Sequence, residues 1–345
     1  MSSAGDAGRG AERPAALVTA RLSASSASDL AQAASLLRRG ALVAIPTETV
    51  YGLGALALDP LAVRAIYAAK GRPSTNPLIV HVHSVEAARA LCAEWPAAAQ
   101  RLADAFWPGP LTLVLPRTTA VPDEVTAGGP TVAVRIPAHP AALALLRLLD
   151  APVAAPSANR SEHVSPTSAA HVLADLEGRI DAVLDGGDCA VGIESTVVSL
   201  AHGRPRLLRA GGVPRAVLEA LLGPLASGQG AIAGDVLASP GQQARHYAPA
   251  GSVRLEPGAR IEAALREVDA WGGVKCGVIL CGDATAAPSL TALVRLPGDM
   301  PGYARGLYAA LRALEEQGCG ALLLEEVPGG GEWEAVRDRL RRAAG

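Results

Sequence analysis

The residues best suited to chemistry come in short clusters, each inside or directly after a run rich in Val, Leu and Ile. Pro46-Thr47-Glu48-Thr49-Val50-Tyr51-Gly52-Leu53-Gly54 combines two threonines, a glutamate, a tyrosine and two glycines. That composition suits a ligand-facing loop with close backbone approach, and equally a capped turn. Lys70-Gly71-Arg72-Pro73 sets two cations one glycine apart, with Asn76-Pro77 behind them. Such a pair can present an ammonium and a forked guanidinium to a polyphosphate, or form a solvated basic turn. His81 sits within the apolar run Leu78 to Val82, where a hydrogen-bonded core histidine is the plainer reading. Thr131 and Arg135 share one face of a strand, and an arginine there requires an anion, either a structural carboxylate or a bound substrate's. Ser157, Asn159 and Ser165 follow another strand and can orient a carboxylate, amine or phosphate, or cap the helix that begins near Ser168. Glu194-Ser195-Thr196 and Arg209-Ala210-Gly211-Gly212 complete the set.

A covalent catalyst is not signalled. The sequence has no GxSxG elbow, HExxH, Walker A run or helix-opening GxGxxG. The clusters instead stand at strand ends, where α/β sheets present a ligand crevice.

The elements that must position them are legible from apolar spacing. Strands are expected at 43–46, 78–82, 111–115, 132–136, 153–155, 182–184, 197–200 and 206–208. Helical spacing fills 28–39, 61–69, 85–92, 97–106, 140–149, 168–176 and 215–222. Residues 223–251 lapse into Gly, Ser, Pro, Gln and Ala, a linker by composition. Strand, helix, strand, strand, helix, strand and helix then follow from 253 to 343. The expected division is a loose extension at 1–22, a first domain at 23–223, a linker at 224–250 and a smaller α/β domain at 251–345.

Bulk properties narrow the class. Half of the 345 residues are hydrophobic but only 3% are aromatic, so the core must be built from Ala, Val, Leu and Ile. A formal net charge of −2 argues against a dedicated nucleic-acid binder. The densest basic stretch, Arg337 to Arg342, reads as the solvated face of a last helix. Five cysteines without a CxxC pair suggest neither a zinc site nor a disulfide framework, which fits a reducing cytoplasm. The short apolar stretch Ala15 to Ala20 is too brief for a membrane span.

In this order, Pro-Thr-Glu-Thr-Val-Tyr-Gly-Leu, Lys-Gly-Arg-Pro, Asn-Pro-Leu-Ile-Val-His, Val-Arg-Ile-Pro, Pro-Ser-Ala-Asn, Glu-Ser-Thr-Val and Leu-Arg-Ala-Gly are a strong signal. The chain resembles the YrdC/Sua5 family of threonylcarbamoyl-AMP synthases over residues 28–223. Ser239-Pro240-Gly241, Arg245-His246-Tyr247-Ala248-Pro249 and the second α/β unit resemble the longer Sua5 type. Gln242, Gln243 and Ala244 depart from that type, which commonly has Met, a basic residue and Tyr there.

The resemblance implies an α/β fold: a YrdC-like twisted mixed sheet with a large concave, electropositive cavity, plus a smaller Rossmann-like C-terminal domain. It implies that Lys70 and Arg72 serve the chemistry, and that Arg72, Asn76, Thr131, Asn159, Ser165, Arg209 and Tyr247 hold ATP, with Tyr247 closing over the cavity. Thr49, His81, Arg135, Ser157 and Ser195 would hold L-threonine, with Arg135 facing its carboxylate. The implied reaction joins L-threonine, bicarbonate and ATP, with Mg²⁺ carried on the triphosphate and no metal site built by the protein. A downstream transferase complex would pass the threonylcarbamoyl group to adenosine 37 of tRNA, with at most weak tRNA binding by this chain.

Overall fold

Runs of two to six residues, too short for helices, pair into one sheet across the first two thirds of the chain. The computed structural model describes residues 17–201, 203–227, 249, 251–268, 274–282 and 292–345. Its first sheet comprises β1 (Ala20–Ser23), β2 (Val43–Ile45), β3 (Gly52–Leu56), β4 (Ile79–His81), β5 (Leu111–Pro116), β6 (Thr131–Arg135), β7 (Val153–Ala154), β8 (Ala182–Asp185), β9 (Thr196–Ser199), β10 (Arg206–Arg209) and β11 (Ala226–Ser227). They run in the order β1-β8-β2-β3-β7-β4-β6-β5-β9-β10-β11. Pairing is mixed: β4 lies parallel to β6, while β5 and β6 are antiparallel. The extra residue Leu208 shifts the register between β9 and β10, so that Arg209 stands opposite Val197.

Three of these strands correct the reading by composition. β1 falls within the expected extension, yet it pairs parallel with β8, and Arg21 is bonded to Asp185. Its four residues bury only Leu22, too little apolar pattern to announce a strand. β3 starts inside the stretch read as a loop, because Gly-Leu-Gly-Ala-Leu has two glycines and no β-branched residue. β11 takes the first part of the expected linker and pairs with β10. Tyr247 and the rest of that linker through residue 248 lie outside the described residues.

The chain from 252 onward forms a four-stranded parallel sheet, ordered β12 (Ser252–Glu256), β15 (Ala321–Glu325), β13 (Cys276–Cys281), β14 (Ala292–Leu296). Alternation decides what each face meets. Cys276, Val278 and Leu280 pack with Ile261 and Ala264 of the helix Ile261–Val268. Ile279, Leu322 and Leu324 pack with Tyr303, Leu307, Leu311, Val336 and Leu340 of the helices Met300–Glu316 and Glu334–Ala344. This second cluster also takes in Val50, Val164 and Ile193, so the two domains share a hydrophobic core. Among the described residues no helix is long and apolar enough to cross a membrane.

Candidate active site

The helix Pro60–Lys70 delivers the cationic turn. Asp59 caps its start by accepting from the Leu61 and Ala62 amides, and Pro60 occupies the first helical position. Ala62, Val63, Ile66, Tyr67 and Lys70 make up its buried face, so the helix is fixed by packing up to its last residue. Gly71, at φ +62°, ends it in the left-handed region that a residue with a Cβ resists, and turns the chain so that Arg72 enters the cleft. Lys70 does not line that cleft. Its ammonium bonds the Ser157 carbonyl at 2.6 Å and the Asn159 carbonyl, and burial followed by the nearby Arg72 lowers its pKa.

One cleft collects Thr47, Thr49, Val50, Gly52, Arg72, Ile79, His81, Arg135, Ala155, Pro156, Ser157, Glu194, Ser195 and Arg209. It draws on the ends of β2, β4, β6 and β10 and the approach to β9, elements scattered over 160 residues of sequence. Arg72, Arg135 and Arg209 are exposed by 8%, 3% and 7%, so each guanidinium must be compensated within the protein or by a ligand. Arg72 donates to the Asn76 carbonyl at 3.2 Å and the Pro77 carbonyl at 3.1 Å. Arg209 donates from Nη2 to the Ser195 carbonyl at 2.9 Å and to its hydroxyl at 3.1 Å. Arg135 answers the question left open by sequence: its Nη2 meets Glu48 Oε1 at 2.7 Å and its Nε donates to the Gly109 carbonyl at 3.2 Å. Glu48 Oε2 takes the Ala138 amide at 3.0 Å, so both carboxylate oxygens are engaged.

The neutral groups are ordered as tightly. Thr49 and Thr47 share a 2.8 Å hydroxyl contact, and Ser195 Oγ lies 2.8 Å from Thr112 Oγ1. Burial, reinforced by Arg135, pushes His81 down to about 3, so its imidazole is neutral, and its Nδ1 has no hydrogen-bond partner among the described residues. Asn76, behind Arg72, is buried, and its Oδ1 has no partner among the described residues. Ser165 Oγ donates to Glu194 Oε1 at 2.7 Å. Asn159 Nδ2 donates to the carbonyls of Arg160 and His163, shaping the turn that leads to Ser165. The cap of the helix Ala169–Leu176 is Ser168 itself, so Ser157 and Ser165 are not spent on capping.

Seven of the expected residues therefore line one cleft: Arg72 and Arg209, with Thr49, His81, Arg135, Ser157 and Ser195. Lys70, Asn76, Asn159 and Ser165 stand outside that lining as described. Thr131 lies at the other end of β6, opposite Pro116 and about 13 Å along the strand from Arg135. Sequence reasoning did not assign Glu48 or Glu194 to the site. Both stand inside the polar clusters, and an acid beside buried arginines was the available signal. Arg339 corrects the reading of 337–342 as a solvated face: its side chain is 0% exposed and bonded to Glu194. Its spacing gave the clue, since Ala335, Val336, Arg339, Leu340 and Ala343 form the buried side of that helix.

Residues 35–211 match the model of the Sua5/YciO/YrdC family, whose description reads telomere recombination. The chain belongs to this family. Residues 213–345 match a second model, the threonylcarbamoyl-AMP synthase C-terminal domain, so the Sua5 type with two domains is present. A threonylcarbamoyl-AMP synthase of Pyrococcus abyssi is 45% identical over 91% of this chain and 93% of its own length. One of Bacillus subtilis is 44% identical over 92% and 93%. The crystal structure of P. abyssi Sua5 complexed with L-threonine superposes with a TM-score of 0.88 at 40% identity, covering 95% of this chain and 97% of that one. The mixed sheet with a smaller parallel sheet is thus the Sua5 fold.

Proposed function

We propose that this enzyme makes L-threonylcarbamoyl-AMP from L-threonine, bicarbonate and ATP, with release of pyrophosphate. The product is the activated group for adenosine 37 of tRNAs reading codons that start with A. One observation carries this reading: three buried guanidinium groups converge with His81, Thr49, Ser157 and Ser195 on a single cleft. The full-length likeness to threonylcarbamoyl-AMP synthases, one of them solved with threonine, supports the choice of substrates.

In this mechanism Arg135 binds the threonine carboxylate through the donor that Glu48 and Gly109 leave it, Nη1. Ser157, Ser195 and Thr49 accept and donate around the amine and hydroxyl. The neutral amine adds to carbon dioxide derived from bicarbonate and loses a proton, giving a carbamate. His81, neutral and with a pKa near 3, is a poor base, so its part is to accept a hydrogen bond and orient the amino acid. A carbamate oxygen then attacks the α-phosphorus of ATP, and the bond to the β-phosphate bridging oxygen breaks as pyrophosphate leaves. No protein nucleophile takes part. Arg72 and Arg209 neutralise phosphate charge, and Lys70 holds the backbone of Ser157 to Asn159 in place.

The carboxylates bordering the cleft, Glu48 and Glu194, are both engaged by arginines. The donors present therefore fit a Mg²⁺ ion held by phosphate oxygens and water, where it neutralises triphosphate charge. The reading places the enzyme in the cytoplasm, upstream of a threonylcarbamoyl transferase complex, with weak tRNA contact at most.

The test is to incubate the protein with ATP, bicarbonate and each amino acid in turn and to follow pyrophosphate and acyl-adenylate by mass spectrometry. A threonine-dependent adenylate is expected, abolished by Arg72→Ala and untouched by Cys276→Ser. Adenylate formed with another amino acid only, or salt-sensitive tRNA binding without ATP consumption, would overturn the proposal.

A further inference from the structure

The second domain reaches into the wall of the cleft through one carboxylate. Arg339 donates from Nε to Glu194 Oε2 at 2.8 Å, and from Nη2 to the carbonyl of Ala210, beside Arg209, at 3.0 Å. Tyr308 donates to the same carboxylate oxygen at 2.9 Å. Glu194 lines the cleft with Ser195 and Arg209, and its other oxygen takes the Ser165 hydroxyl. A single side chain of the first domain thus bonds two residues of the second and Ser165 of its own domain, with Arg209 beside it in the cleft.

Around this junction the docking leaves no slack. A Cβ on Gly192 would lie 2.4 Å from the Arg305 Cα, so only glycine lets the helix Met300–Glu316 approach so closely. Arg312 bonds the Val164 carbonyl and meets Asp175 at 2.7 Å, both side chains buried. His163 bridges Asp175 of its own domain, at 3.0 Å, to Glu315 of the second, at 3.1 Å. The two segments held in this way, 163–165 and 190–194, are the ones that carry Ser165 and Glu194.

Electrostatics gives the arrangement a purpose. A carboxylate in the wall of a polyanion site opposes binding unless its charge is met from behind. Burial pushes the Glu194 carboxyl up, but Arg339 first and Arg209 second hold it at about 2, so it is ionised. Were Arg339 absent, Arg209 would be left as the cation bearing on Glu194, and an ion pair between them would cancel the charge offered to ATP.

We propose that Arg339 and Tyr308 are positioning residues for the ATP site: they draw Glu194 toward the second domain and so keep Arg209 arranged for the triphosphate. This inference rests on the function proposed above. Its test reads binding rather than turnover, so that the two can fail separately. Titration calorimetry on the full chain would measure the Kd of a non-hydrolysable ATP analogue with Mg²⁺ and, separately, that of L-threonine. Arg339→Met is expected to weaken the analogue at least about tenfold, the scale of losing a charged hydrogen bond, and to change threonine less than about twofold. Adding Glu194→Gln removes the charge that Arg339 answers and should restore the analogue's Kd to within about threefold of wild type. Tyr308→Phe, which deletes one hydroxyl, should weaken the analogue about two- to fivefold, and it decides the matter should Arg339→Met not fold. Unchanged analogue binding, parallel loss of both ligands, or no rescue by Glu194→Gln would overturn the inference. A wild-type protein that binds the analogue but forms no threonine-dependent adenylate would sink the proposed function instead.

Discussion

Glu48→Gln isolates what fixes Arg135. The Arg135 and Glu48 side chains are 4% and 10% exposed and meet at 2.7 Å, so solvent does little to screen them. Removing one partner of a buried pair costs roughly 3–5 kcal/mol, because the remaining charge is stranded away from water. Glutamine keeps the shape and one acceptor. If that acceptor serves Arg135, its amide group faces the Ala138 N–H, which turns to solvent because Ala138 is exposed, so the middle of the range is expected. In a domain of this size each kcal/mol moves the thermal midpoint by about 2–4 °C, so a fall of roughly 10 °C is expected. Saturating L-threonine should recover less of the midpoint in the variant than in wild type, because an Arg135 no longer held by Glu48 presents its guanidinium less well to the ligand carboxylate. Denaturant melts with and without threonine, on wild type, Glu48→Gln, Arg135→Met and the double variant, give the coupling energy directly. A coupling below about 0.5 kcal/mol, or equal threonine stabilisation in all four proteins, would refute the claim that Glu48 holds Arg135 for the substrate.

Two further outcomes follow from the geometry. Hydrogen bonds donated by His163 to Asp175 and then Glu315 raise its pKa to about 9, above its unfolded value of 6.5. Its contribution is therefore complete below pH 6.5 and lost as pH rises through 9, so unfolding midpoints measured from pH 6 to 10 should fall in wild type more steeply than in His163→Gln. Lys70→Met should lower stability by about 2–4 kcal/mol, since two buried carbonyls lose their donor, and should weaken threonine binding through Ser157. Denaturant melts with threonine titration would show this, and a variant with native stability would contradict the role given to the ammonium.

Much of the architecture was readable because apolar spacing and burial coincide: β2, β4, β6 and β10 all fall where the Val/Leu runs predict. Failures occurred where backbone pairing or distant charge decides the outcome. β1 is held by β8 and by Arg21–Asp185, neither of which leaves a local pattern. At the site, residue type and order picked out seven residues that share the cleft, set Lys70, Asn76, Thr131, Asn159 and Ser165 beside them, which do not line it, and could not tell which guanidinium is already compensated. That depends on contacts across the sheet, such as Glu48 to Arg135, 87 residues apart. Arg339 is the sharpest case. In composition it belongs to a basic tail, and only its place on the apolar face of its helix, with an acid 145 residues away, makes burial tolerable.

These particulars point to one design rule for a polyanion-binding cleft without a covalent catalyst. Leaving several cations unpaired in an apolar wall would destabilise the fold by several kcal/mol for each ion. Pairing each fully would abolish binding. The chain resolves the conflict by compensating each charge from one side only, with groups bonded to part of each guanidinium or carboxylate. Glu48 and Gly109 take two edges of Arg135, the Asn76 and Pro77 carbonyls take Arg72, and Ser195 takes one face of Arg209. Glu194, the one carboxylate among the described lining residues, is answered in turn by Arg339 and Tyr308. Carbonyls and hydroxyls stabilise Arg72 and Arg209 without cancelling their charge, so the field toward the phosphates survives, whereas Arg135, paired with Glu48, offers a carboxylate its remaining N–H donors in a fixed orientation. Preorganisation of this kind suits a reaction in which two substrates react with each other and the protein supplies position and charge.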